Sequence, residues 1–92
     1  MKKSDIKLVE NLGVVAGSAY SEIEQAKEPL IELRDGLQEA YDEKGDKWKE
    51  GEKGLAAETI IEAINAIIEA AESAMTSLEE IQNACENIKE PD

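Results

Sequence analysis

Residues 55–90 read LAAETIIEAINAIIEAAESAMTSLEEIQNACENIKE. Apolar and small side chains recur there at alternating steps of three and four: Ala57, Ile60, Ile64, Ile67, Ala71, Ala74, Leu78, Ile81, Cys85, Ile88. That spacing marks one face of a long helix made to pack against other helices. The apolar arc is wider than a two-stranded seam needs. Ile61, Ile68 and Met75 lie seven apart beside the stripe, and Ala63, Ala70 and Ala84 lie on its other flank. An arc this broad suits two neighbours rather than one.

Upstream, a matching stripe runs through Leu8, Leu12, Val15, Ala19, Ile23, Ala26, Leu30, Leu33, Leu37 and Tyr41. Ser4 is the expected N-cap. Two features work against a straight helix. Gly13 and Gly17 each cost about 1 kcal/mol relative to Ala in a helix interior, although with Ser21 they place small residues on one face, where backbones can approach closely. Pro29 removes a backbone donor and clashes with the preceding turn, at about 3 kcal/mol. A kink or a break is therefore expected between Gln25 and Pro29, or a separate helix opening at Pro29.

Between the stripes lies KGDKWKEGEKG, residues 44–54, with glycines, alternating charge and no apolar period. The spacing thus predicts a single domain over 1–92: a helix over about 4–42, a connector over 44–54 and a helix over about 55–90. Two helices of similar length on a short connector predict an all-α antiparallel hairpin. One hairpin leaves apolar surface uncovered, so assembly into an oligomeric helical bundle is expected. Its seam would be Ile60, Ile61, Ile64, Ile67, Ile68, Met75, Leu78 and Ile81.

Composition narrows the function. The 92 residues carry 22 acids against 10 bases, a formal charge of −12. Such a chain repels nucleic acid and anionic membranes and attracts basic protein surfaces. No stretch approaches the roughly 20 apolar residues of a membrane span. The basic, then apolar, then small N-terminus imitates a signal peptide, but Asp5, Lys7, Glu10 and Asn11 interrupt it. Cys85 is the only cysteine, so no internal disulfide forms, and a cytoplasmic location is expected. His is absent, which removes the commonest general base and transition-metal ligand. Di-iron bundles need inward Glu and Glu-x-x-His on facing helices, and DEKGDKWKE lacks calcium-loop spacing. No catalytic serine has a base to support it. No enzymatic activity, cofactor or metal is expected.

Two constellations remain. Glu58, Glu62, Glu69, Glu72, Glu79, Glu80 and Glu86 form an acidic rail opposite the seam, offset only by Lys89. The rail is a solvated helix face, a contact for some other basic surface, or a mimic of DNA, though its charges fall about 6 Å apart against 3.4 Å along one DNA strand. The connector gathers Lys44, Lys47, Lys49 and Lys53 around Trp48, with Tyr41 close by in sequence. Trp48 there is a plug over the bundle end, an anchor for a protein partner, or, with the lysines and a helix N-terminus, part of a nucleotide or phosphate pocket. GEKG is not a phosphate-binding loop of the Walker type.

LRDGLQEAYDEKGDKWKEGEKG, followed by an Ile/Ala/Glu-rich helix, resembles small acidic proteins encoded by bacteriophages. These carry a Tyr-Asp-Glu-Lys stretch, a Trp-x-Glu-Ser/Gly-Glu-Lys-Gly turn and a long closing helix. The likeness covers roughly residues 30–90 and brings no site residues with it, because most members have no assigned activity. It implies a phage product acting in the host cytoplasm. The leading expectation is a non-enzymatic protein that inhibits a host factor, in particular an antiviral defence factor, by stoichiometric binding. Its contacts would be Tyr41, Lys47, Trp48, Lys49 and Lys53. The alternatives are an acidic DNA mimic, an oligomeric sponge for a nucleotide signal, and a purely structural or assembly protein.

Overall fold

The computed structural model describes residues 2–88, and all its regular structure is helical. α1 spans Lys3–Asp42, α2 Asp46–Glu50 and α3 Glu52–Glu86. Residue 1 and residues 89–92, including Lys89 and the expected end of the last helix near residue 90, lie outside the described residues. The chain divides into two compact units, one built from the segments up to Gln25 and from Glu72 onward, the other from Ala26–Ala71.

α1 begins one residue before Ser4, so that side chain is inside the helix rather than capping it. Asp5 serves the terminus instead. Its carboxylate accepts a hydrogen bond from the Lys2 backbone N–H at 3.1 Å, which is half of a capping box. The expected break near Pro29 does not occur, and α1 is one element with Pro29 inside it. The ring deletes a single rung of the ladder, and the intact turns on either side carry the helix across it. The connector also differs from expectation, because residues 46–50 form a short helix between extended residues Gly45 and Gly51. Neither glycine has a positive φ. α1 therefore stops without a left-handed glycine: the Lys44 N–H turns back to the Tyr41 carbonyl at 3.1 Å.

In the first unit, Gly13 and Gly17 of α1 face Cys85 and Gln82 of α3. A Cβ added at Gly13 would stand 3.1 Å from the Cys85 Cβ, and one at Gly17 would stand 2.6 Å from the Gln82 Nε2. The bare backbones give close approach, and Ala16 beside them is 3% exposed. Ser21, on the same predicted face, is exposed.

In the second unit the core is Ile61, Ile64 and Ile68 of α3. Leu30, Leu37 and Tyr41 of α1 are half-buried. Arg34 donates through Nη1 to the Asn65 Oδ1 at 3.1 Å, and its Nη2 pairs with Asp35 at 3.0 Å. This polar contact between α1 and α3 defines a register, because an apolar seam alone tolerates sliding.

The burial pattern corrects the predicted faces. On α3 two rows turn inward: Ala57, Ile64, Ala71, Leu78 and Cys85, with Ile61, Ile68, Met75 and Gln82. Ile61, Ile64, Ile68 and Met75, predicted for a seam between copies, are thus buried within their own units, and Leu78 is half-buried. Ile60, Ile67 and Ile81 remain exposed. On α1, Leu8, Leu12, Val15, Ala26 and Leu33 are exposed. The inward positions there include Ile6, Val9, Gly13, Ala16 and Tyr20. Both helices carry two rows of three-four spacing, and pairing within the chain selects one phase of each.

Gly36 is a contrast to the packed glycines, with nothing within 4 Å of the place a Cβ would take. Gly36→Ala is expected to stabilise the fold by about 1 kcal/mol through helix propensity and a less free unfolded chain. Thermal melts of the pair would check this. A loss of stability would mean that bare backbone at Gly36 serves a contact.

Candidate functional site

The connector end of the second unit brings together the aromatic and cationic residues. After Gly45, the turn of α2 is closed by the Lys49 N–H bonding the Gly45 carbonyl at 3.1 Å. At its other end the Gly51 N–H reaches the Lys47 and Trp48 carbonyls, both at 3.2 Å. Gly54 is buried beneath this turn, and any Cβ there would collide with the Trp48 and Lys49 carbonyls. The turn presses Trp48 toward the end of α1.

There the Trp48 ring meets Tyr41 edge-on, with centroids 6.1 Å apart and planes at 65°, a favoured aromatic arrangement. Lys44 places Nζ 5.3 Å from the Trp48 ring centroid, and Lys49 places Nζ 5.2 Å from that of Tyr41. The four side chains form one stack in the order Lys44, Trp48, Tyr41, Lys49, a pair of rings between two cations, in which each ammonium lies over a negative π face. Partial burial holds the Tyr41 phenol above its ordinary pKa, and the carboxylates of Glu58 and Asp42 add to that push. At neutral pH the phenol is therefore a neutral hydrogen-bonding group.

Beside the stack opens a cavity of about 260 Å³ lined by Leu37, Ala40, Tyr41, Lys44, Trp48, Ala57, Ile60 and Ile61. Its walls are mainly apolar, from the aliphatic side chains together with the Tyr41 and Trp48 rings. Of the predicted contact residues, Tyr41, Trp48 and Lys49 come together. Lys47 and Lys53 are exposed and outside both the stack and the cavity lining. Lys44 joins the site through its ring contact, a placement that spacing alone does not give. The sequence reading also missed Arg34 and Asn65. Their signal was an Asn set within the Ile60–Ile68 run of α3.

Every residue of the acidic rail, from Glu58 to Glu86, is exposed. Among the described residues none of these carboxylates pairs with a cation, and the ion pair found is Arg34–Asp35. In the first unit a second cavity, of about 460 Å³, lies over Gly13 and Cys85 with Glu10 and Glu86 at its margins. No cluster of His, Cys, Asp or Glu among the described residues has the arrangement of a metal site. No described helix is long and apolar enough to cross a membrane.

No protein-family model, curated protein or solved structure matches the chain. The functional reading rests on this geometry.

Proposed function

We propose that this chain is a non-enzymatic interaction protein that binds a host factor, in particular one of antiviral defence, in fixed stoichiometry and inhibits it in the host cytoplasm. The helices form an antiparallel hairpin that associates with copies of itself into a bundle. The partner is engaged at the connector end. The observation that carries this reading is the apolar cavity opening beside Trp48 and Tyr41. Half-exposed aromatics around an aliphatic recess are the usual anchors of protein recognition. The lining favours an apolar side chain over a phosphate, and Lys44 and Lys49 are already engaged with the rings.

Trp48→Ala is expected to weaken capture of the partner from host lysate at least about thirtyfold, the scale of a truncated hot-spot anchor. Helix content by circular dichroism should stay near the parent's. Capture of the same partner at unchanged strength would remove the connector from the reading.

The exposed, unpaired rail supports a second reading, a mimic of DNA directed at a DNA-binding protein. That reading predicts that Glu69→Gln with Glu72→Gln weakens capture more than Trp48→Ala does, and that affinity falls steeply with salt.

A further inference from the structure

The cavity at the connector end has a lining of one polarity. Leu37, Ala40, Ala57, Ile60 and Ile61 supply its aliphatic wall, and the Tyr41 and Trp48 rings complete it. Every polar side chain in that lining can donate a hydrogen bond: the Lys44 ammonium, the Trp48 indole N–H and the neutral Tyr41 phenol. No carboxylate among the described residues lines it, although the chain carries 22 acids against 10 bases. Lys44 is exposed, and no described carboxylate pairs with it. Its contact with the Trp48 face leaves ammonium N–H groups free to donate.

A positive group set beside an apolar recess complements an apolar body with an anionic end. The recess also sets the size of that body. At about 260 Å³ it lies below the roughly 300–1,000 Å³ of sites that enclose a whole small molecule, and it suits one side chain. The cation stands in the wall itself, so the anion must be bonded within an atom or two of the apolar group it accompanies. In an extended segment an acid next to an aliphatic residue points to the opposite side. The α-carboxylate of a C-terminal Leu, Ile or Val meets the requirement, because side chain and carboxylate share one Cα. The carboxylates of Asp42 and Glu58 act on the Tyr41 phenol, which directs an incoming anion to the Lys44 end of the stack.

We propose that this cavity recognises the C-terminal residue of a partner protein, with the aliphatic side chain in the recess and the α-carboxylate on the Lys44 ammonium. This inference rests on partner binding at the connector end and gives that partner its chemistry. The contact is charge-assisted, and such bonds are about twice as strong as neutral ones. Burial of the aliphatic side chain against the Trp48 ring shields it from water, which strengthens it further. A free fatty acid shares this chemistry, but its chain outgrows a recess of this size.

Trp48 is the only Trp of the chain, so its fluorescence reports directly on the cavity. The full chain would be titrated with an acetylated Gly-Ser-Gly-Leu peptide bearing a free C-terminus, with the same peptide amidated, and with decanoate. The free acid is expected to bind about tenfold more tightly than the amide, the scale of one charge-assisted hydrogen bond. Lys44→Gln should erase that preference, whereas Lys47→Gln, exposed and outside the lining, should keep it. In the unmodified chain the preference should shrink as sodium chloride rises from about 0.05 to 0.5 M, a readout that needs no variant to fold. Equal binding of acid and amide by the parent would overturn the carboxylate and leave an apolar anchor site standing. A preference retained in Lys44→Gln would overturn its assignment to Lys44. Decanoate binding more tightly than the peptide would overturn the C-terminus in favour of a lipid acid. No response to any of the three would overturn the cavity as a recognition site. A clear preference for the free acid without capture of any host protein would support this chemistry and count against the inhibitor reading alone.

Discussion

Ile68→Ala is expected to cost the second unit about 2–5 kcal/mol, the range for truncating a packed isoleucine. Ile68 is 2% exposed, the lowest value in the core. The core of that unit is small: its other buried apolar side chains are Ile61 and Ile64. Little is left to relax into the gap, and such a loss is a large share of the 5–15 kcal/mol that holds most domains folded. The melting temperature should fall by more than about 10 °C, at about 4–8 °C per kcal/mol for a chain of this size. Ile67→Ala is the matched control, since the neighbouring residue is 56% exposed. It should cost less than about 1 kcal/mol. Equal losses at the two positions would mean that the inward phase of α3 is wrongly assigned.

Gly54→Ala is expected to reverse the usual sign of a glycine replacement in a helix. Helix propensity alone favours Ala by about 1 kcal/mol. Here the new methyl would enter the Trp48 and Lys49 carbonyls, which belong to backbone and have no rotamer to escape into. Relief requires α2 to lift from the start of α3, at a net cost of about 1–3 kcal/mol. Trp48 travels with α2, so its contact with Tyr41 should loosen and its fluorescence should shift to the red. Partner capture should weaken in the same variant. A gain in stability like that expected at Gly36 would mean that the α2–α3 turn is not packed as described.

The helical character of this chain was legible because three-four spacing is a local property. The apolar rows, the Gly-rich connector and the absence of any strand pattern needed no partner to be read. The connector residues were legible as candidates for the same reason, since Trp48, Tyr41 and the lysines are conspicuous in an aliphatic chain. Which lysines mattered was not. Lys44 and Lys49 reach the rings, whereas Lys47 and Lys53 are exposed and make no ring contact. That choice depends on α2, a short helix flanked by glycines whose own sequence has no apolar period. Pro29 misled in the opposite direction, because its local penalty was weighed without the long helix on both sides of it.

By itself the sequence determined that the chain forms long amphipathic helices with acids on one side and aliphatics on the other, because side-chain period and backbone propensity act within a few residues. Tertiary structure decided which of two equally periodic rows on each helix turns inward. That choice was settled where Gly13 and Gly17 admit Cys85 and Gln82, and where Arg34 finds Asn65. A repeat of three and four can specify that a face packs, but only the shape and hydrogen-bonding groups of the opposing helix can select the face.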